Sequence, residues 1–208
     1  MLHTEAVDPE VLELLKKLQQ KQYLDRFYLV GGTALVLYYG HRRSVDIDLF
    51  LNTAFDAERL LEQISHDFSY QLFNTAEYIL KGRIAGINVD IIAHRYPNIE
   101  KPWHEDGLSL LSEKDIIAMK LNAIVVSGQR SKDFIDLYYA LEHYGMADIV
   151  SFYKTKYEQD SAAHVLKSLV YFKDVDFADW PVMLRDPDLK WSSVKNRLIN
   201  EVKEYTLD

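Results

Sequence analysis

The 208-residue chain contains no cysteine. Disulfides, thiolate metal sites and cysteine nucleophiles are thereby excluded, and any bound metal must take oxygen or imidazole donors, a set that favours hard cations. Paired imidazoles are missing too. The histidines show no His-x-x-x-His spacing, and His94 reads as structural rather than as a ligand. Long apolar runs are also absent: no stretch of about 18 apolar residues occurs, and the opening MLHTEAVDPE lacks a basic segment followed by an apolar one. Neither a membrane span nor a secretory leader is expected, which makes the cytoplasm the expected location. Basic charge is in deficit, with 24 Lys and Arg against 32 Asp and Glu and a net charge of -8. That balance argues against a broad, non-specific hold on a phosphate backbone. Local clusters at His41-Arg42-Arg43 and Arg130-Ser131-Lys132 still leave room for one cationic cleft.

With 48% apolar and 12% aromatic residues, the chain can bury a core of one large domain or two small ones. Asp8 and Pro9 predict a helix start, followed by the stripe Val11, Leu12, Leu14, Leu15 and Leu18. Phe27 to Val30 reads as a buried strand that runs into Gly31-Gly32-Thr33 and a brief helix from Ala34 to Tyr39, ended by Gly40. A second strand is expected over residues 44–51, a helix over 56–66, and two further strands over 78–84 and 87–93 with a tight turn at Ala85-Gly86. After Pro97 and Pro102 no comparable alternation returns, and helices are expected: one capped by Ser112 with Asp115 three residues on, one capped by Ser131 and stopping at Gly145, then 147–157, 162–172 and 194–205. The expected fold class is α+β. A mixed sheet with flanking helices occupies residues 1–106 and a helical region follows over 107–208, within what could be one body.

The chemistry concentrates in Arg43-Ser44-Val45-Asp46-Ile47-Asp48-Leu49-Phe50. Residues two apart on a strand share a face, so Asp46 and Asp48 should stand side by side while Val45, Ile47 and Leu49 enter the core. Two adjacent carboxylates either raise one pKa or recruit a cation. Asp90, in the apolar run Ile87-Asn88-Val89-Asp90-Ile91-Ile92, supplies a third carboxylate if its strand lies beside the first. Glycines after a strand, followed by a helix start, offer an anion cradle at Gly31-Gly32-Thr33. Each part also has a plain alternative. The glycines could be only a turn, the Asp-x-Asp only a solvent-facing strand, and Asp90 could pair with Arg83 or Arg95.

In their joint order these segments resemble the DNA polymerase β-type nucleotidyltransferase superfamily. Gly31-Gly32-Thr33-Ala34-Leu35, then Arg43-Ser44-x-Asp46-Ile47-Asp48-Leu49-Phe50, then Lys120 and Arg130-Ser131-Lys132-Asp133-x-x-Asp136-Leu137-Tyr138 are similar to the AbiEii/AbiGii toxin branch. The resemblance implies a nucleotidyltransferase fold followed by helices, and metal-dependent transfer of a nucleoside monophosphate from a nucleoside triphosphate. It implies Asp46, Asp48 and Asp90 as catalytic ligands for Mg²⁺, as two ions, with Mn²⁺ as a substitute. Gly31, Gly32, Thr33, Arg43 and Ser44 would form the nucleotide site. Lys120 would reach the phosphates and Asp136 would face the cleft. An RNA acceptor such as a tRNA 3′ end and a cognate antitoxin are the implied partners, in a type IV toxin–antitoxin or phage-defence setting. A small molecule such as an aminoglycoside, a protein hydroxyl, or a silent binding module of the same fold are the alternatives.

Overall fold

Asp8 accepts a hydrogen bond from the Glu10 amide and Pro9 fills the first turn, starting α1 (Pro9–Gln19), whose Val11, Leu14, Leu15 and Leu18 are buried. The computed structural model describes residues 1–207. After α1 come β1 (Tyr28–Leu29), α2 (Gly31–Tyr39), β2 (Ile47–Leu51), α3 (Ala57–Asp67), β3 (Tyr70–Ala76), β4 (Ile79–Ile84), β5 (Ile87–Ala93), β6 (Trp103–Glu105) and β7 (Leu108–Leu110). The helices α4 (Glu113–Val126), α5 (Ser131–Ala140), α6 (Met146–Tyr157), α7 (Ala163–Leu169) and α8 (Trp191–Leu207) complete the chain.

The strands form a seven-stranded mixed sheet in the order β3-β4-β5-β2-β1-β7-β6. At its centre β2 and β5 run parallel, with Asp48 directly opposite Asp90 and Ile47 opposite Val89. Along β2, Ile47, Leu49 and Leu51 are buried and the residues between them are not, the alternation of a strand with one face in a core. One continuous apolar cluster extends from Leu2 to Val202 and draws on both the sheet and the helices.

Several expectations are corrected. Helix α2 begins at Gly31, so the glycine segment is its first turn rather than a loop before it. Strand β2 begins only at Ile47, and Val45, expected in the core, is 53% exposed because the chain leaves the sheet there to bridge Val7 through Ser44. Strand β3 was not expected at all. It is an edge strand exposed almost throughout, and pairing with β4 rather than any apolar period makes it a strand. The β6–β7 hairpin after Pro102 was likewise not expected, and Leu110 of β7 pairs with Leu29 of β1. The sheet therefore ends at Leu110, and a boundary at 106/107 falls inside a hairpin. Arg130 rather than Ser131 caps α5, and Gly145 starts α6 instead of ending α5.

The helices are clamped to the sheet by a buried ion pair. Lys156 of α6 donates to Asp115 of α4 at 2.7 Å, and both side chains are fully buried. Asp115 also accepts from the amides of Ile99 and Glu100 and from the Ser112 hydroxyl, while Lys156 donates to the Pro97 carbonyl. The capping position expected at Asp115 thus ties the 97–100 connection to two helices.

Candidate active site

Gly31 has φ 71°, in the left-handed region, and a Cβ added there would run into the Asp48 carboxylate. A Cβ on Gly32 would run into the Arg42 guanidinium. Both glycines are needed for close approach, one of them also for its backbone. The Thr33 hydroxyl is buried and donates to the Asp46 carbonyl, while the Ser44 hydroxyl lies 2.7 Å from it. Thr33, expected to meet a phosphate, fixes the backbone on which Asp46 sits and lines the recess beside Asp48.

The parallel register of β2 and β5 sets Asp48 opposite Asp90, and Asp46, just before β2, lines one cleft with both. Asp46 accepts from Asn88 Nδ2 at 2.9 Å. Asp90 pairs with Lys81 Nζ at 2.9 Å, not with Arg83 or Arg95. Arg83 donates to Asn88 Oδ1, and Arg95 lies over the Tyr78 ring. Asp48 has no such partner. Burial, then the neighbouring Asp90 charge, push its carboxyl up to about 6, against the pull of Lys120 and Arg130. The three carboxylates are not drawn into a closed cage: among the described residues no three acidic or imidazole groups already surround a single metal position.

Behind this face lies a buried charge cluster. Asp136, expected to face the cleft, is instead fully buried and closed off by its partners. Arg42 grips it with Nε and Nη2 at 2.8 and 3.0 Å, His41 Nε2 lies at 2.8 Å, and Lys120 Nζ pairs with it at 2.8 Å and with Asp133 at 2.6 Å. Burial alone would raise the Asp136 pKa, but Arg42 and Lys120 hold it well below the usual carboxylate range. Burial holds His41 below its ordinary value despite Asp136, so the imidazole is neutral near pH 7. Two acids then face two bases, and the cluster is balanced. Lys120 thus works as a member of this cluster while still lining the cleft.

Three recesses meet at Asp48. A cleft of about 520 Å³ lies between the sheet and α4, lined by Gly31, Phe50, His94, Met119 and Asn122. A second, of about 300 Å³, opens beside Asp46, Asp90, Asn88 and Phe73. A small recess of about 30 Å³ is bounded by Gly32, Arg43, Ser44 and Lys132. Asp48 and Arg130 line all three. Arg43 also donates to the Glu5 carbonyl, and His94 Nε2 lies 3.1 Å from the Tyr157 hydroxyl.

Arg130 and Lys81 were not assigned to the site by sequence reasoning, although Arg130 stood in a recognised basic cluster. Asn88 was legible in principle, since it lies two residues before Asp90 on the same strand face. Lys81 carried a weaker signal, a charged residue in the half-buried strand Ile79–Ile84.

The sequence profile of the nucleotidyl transferase AbiEii toxin family, of the type IV toxin–antitoxin system, matches residues 13–205. An uncharacterized protein of Aquifex aeolicus is 32% identical over 206 residues, covering 94% of this chain and 96% of its own. MenT4, a nucleotidyltransferase toxin from Mycobacterium tuberculosis, superposes with a TM-score of 0.61 at 17% identity, covering 93% of this chain and 80% of its own. JHP933 from Helicobacter pylori superposes with a TM-score of 0.57 at 19% identity over 95% and 92% of the two chains.

Proposed function

The chain belongs to the AbiEii nucleotidyltransferase toxin family and is a nucleotidyltransferase, and on that premise we propose that it transfers a nucleoside monophosphate to the 3′ end of an RNA such as a tRNA, in the cytoplasm, with Mg²⁺ at Asp46, Asp48 and Asp90. The observation that carries this reading is the register that sets Asp48 opposite Asp90 while Gly31 closes on the Asp48 carboxylate.

The donors suit a hard cation. Mg²⁺ takes one or two carboxylates and completes its octahedron with water and substrate phosphates, so no all-protein cage is required. Bound there, it would neutralise phosphate charge and favour ionisation of the acceptor hydroxyl. The chain's own groups do the rest. Arg130 and the amides at the start of α2 receive the triphosphate oxygens. Asp90 accepts the proton of the acceptor hydroxyl. The hydroxyl oxygen bonds to the α-phosphorus, the bond to the bridging oxygen breaks, and pyrophosphate leaves. The cleft between the sheet and α4 falls in the range of ligand sites, roughly 300–1,000 Å³.

An anionic acceptor is favoured by the rim. Lys81, Arg83 and Arg130 edge the aspartate face, so a polycationic acceptor would meet like charge once the carboxylates are neutralised. The -8 net charge of the whole molecule is no obstacle, because contact is confined to this patch. A cognate antitoxin belongs to the same proposed setting.

The test is label transfer from an α-labelled nucleoside triphosphate to total RNA in the presence of Mg²⁺. Wild-type protein should label RNA and Asp48→Asn should not, with both giving the same circular dichroism. Equal labelling by the two proteins refutes the mechanism.

A further inference from the structure

The β3–β4 pairing slips by one residue inside the edge strand. Leu72 is opposite Gly82, but Asn74 is opposite Lys81, which leaves Phe73 as an extra residue. Such a bulge sets two consecutive residues against one and re-aims a side chain. Gln71 stands opposite Arg83 on the aspartate face, so Phe73, two residues on, shares that face, and the bulge brings Asn74 there too, opposite Lys81, which pairs with Asp90. Phe73 lines the same cleft as Asp46, Asp48, Asp90 and Arg130.

Phe73 has no part in the core, being 59% exposed. The Arg83 guanidinium lies 5.2 Å from its ring centroid. Arg83 in turn donates to Asn88, and Asn88 donates to Asp46, so polar contacts connect the aromatic ring to a candidate metal ligand. The strand is anchored from the other side. Tyr70 packs on Gly82, where a Cβ would collide with its ring, and its hydroxyl donates to the Val89 carbonyl.

Resting on the proposed RNA acceptor, we propose that Phe73 is the stacking platform for an unpaired base at the acceptor 3′ end, with Arg83 beside it for a backbone phosphate. An exposed aromatic ring beside a cation is how single-stranded nucleic acid is held, through base stacking and phosphate contact together. The same cation disfavours a polycationic occupant. The platform positions the terminal hydroxyl against Asp90 and takes no part in bond making.

The experiment uses the full-length protein, Mg²⁺, an α-labelled triphosphate, and an RNA stem with either an unpaired or a blunt 3′ end. Phe73→Ala should raise the KM for the unpaired-end RNA about tenfold, in line with the worth of one stacked base, and leave the triphosphate KM unchanged. Phe73→Trp should restore it, and the blunt-ended RNA should be insensitive to either change. A wild-type KM in Phe73→Ala, or a Phe73→Trp protein as impaired as the alanine variant, overturns the platform while leaving nucleotidyl transfer to RNA standing. Failure of wild-type protein to label any RNA overturns the proposed function and the platform with it.

Discussion

Asp48 shows how much a single side chain here depends on its neighbours. Its carboxyl is raised from 3.8 to about 6 because burial and the Asp90 charge both disfavour ionisation. A raised acid favours the fold when protonated, so its contribution is fully present below the unfolded pKa and is lost as pH rises through about 6. Two consequences follow for the metal-free protein. Asp48→Asn should stabilise it by about 1–3 kcal/mol near pH 8 and by almost nothing near pH 4, as read from urea unfolding at both pH values. Mg²⁺, which needs the ionised carboxylate, should bind progressively less well as pH falls below about 6, as followed by calorimetric titration. A stability difference independent of pH, or metal binding that does not weaken in acid, would contradict the assignment. The pairing of Asp46 and Asp48 was legible from their two-residue spacing alone. That Asp48 carries a strained ionisation was not legible, because it depends on burial and on the carboxylate the facing strand brings opposite.

Among the elements, two ion clusters hold the helices to the sheet, and the family motif reads differently once they are seen. Lys120 and Asp136 stood in the sequence as groups for the cleft, yet Asp136 sits behind its wall with Arg42, His41 and Lys120 around it. Its effect on the site is to hold Arg42 under Gly32 and α5 against α2, the helix that carries the glycines. The Asp115–Lys156 pair acts in the same way between α4, α6 and the 97–100 connection. Removing one member of such a pair leaves a buried charge without a counterpart, which costs about 3–5 kcal/mol. Lys156→Met should therefore lower unfolding free energy by about that amount in chemical denaturation, and Asp115→Asn with Lys156→Met together should recover part of it. A loss under about 1 kcal/mol in the single variant would mean the pair is solvated.

At the scale of the whole molecule, one continuous apolar cluster draws on both the sheet and the helices. Helix α2 is buried on nearly every side, from Thr33 through Leu37 and again at Tyr39, and it meets β2 as well as α4 and α5. A helix apolar all round is stable only when covered all round. Residues 1–111 expressed alone should therefore lack a cooperative thermal transition, and the full chain should melt in a single calorimetric step. Independent melting of the fragment would restore the two-domain division at the seam. The change from mixed α and β to helix near residue 110 was legible because periodicity changes there. That one apolar cluster runs across this change was not, since periodicity is silent on which faces meet.

The sequence by itself determined which chemistry this protein carries: hard oxygen donors without thiols, an aspartate pair on one strand face, glycines after a strand, and the order that relates them to a known family. Those features are local, and spacing of a few residues along a strand or helix is enough to express them. Only the tertiary structure decided the partners across the sheet: Asp90 opposite Asp48, Lys81 on Asp90, Asp136 shut behind the cleft, and Phe73 of the edge strand beside the aspartates. These contacts join residues that are far apart in the chain or fixed by the register of a neighbouring strand. A one-residue slip in that register sends every side chain to the opposite face.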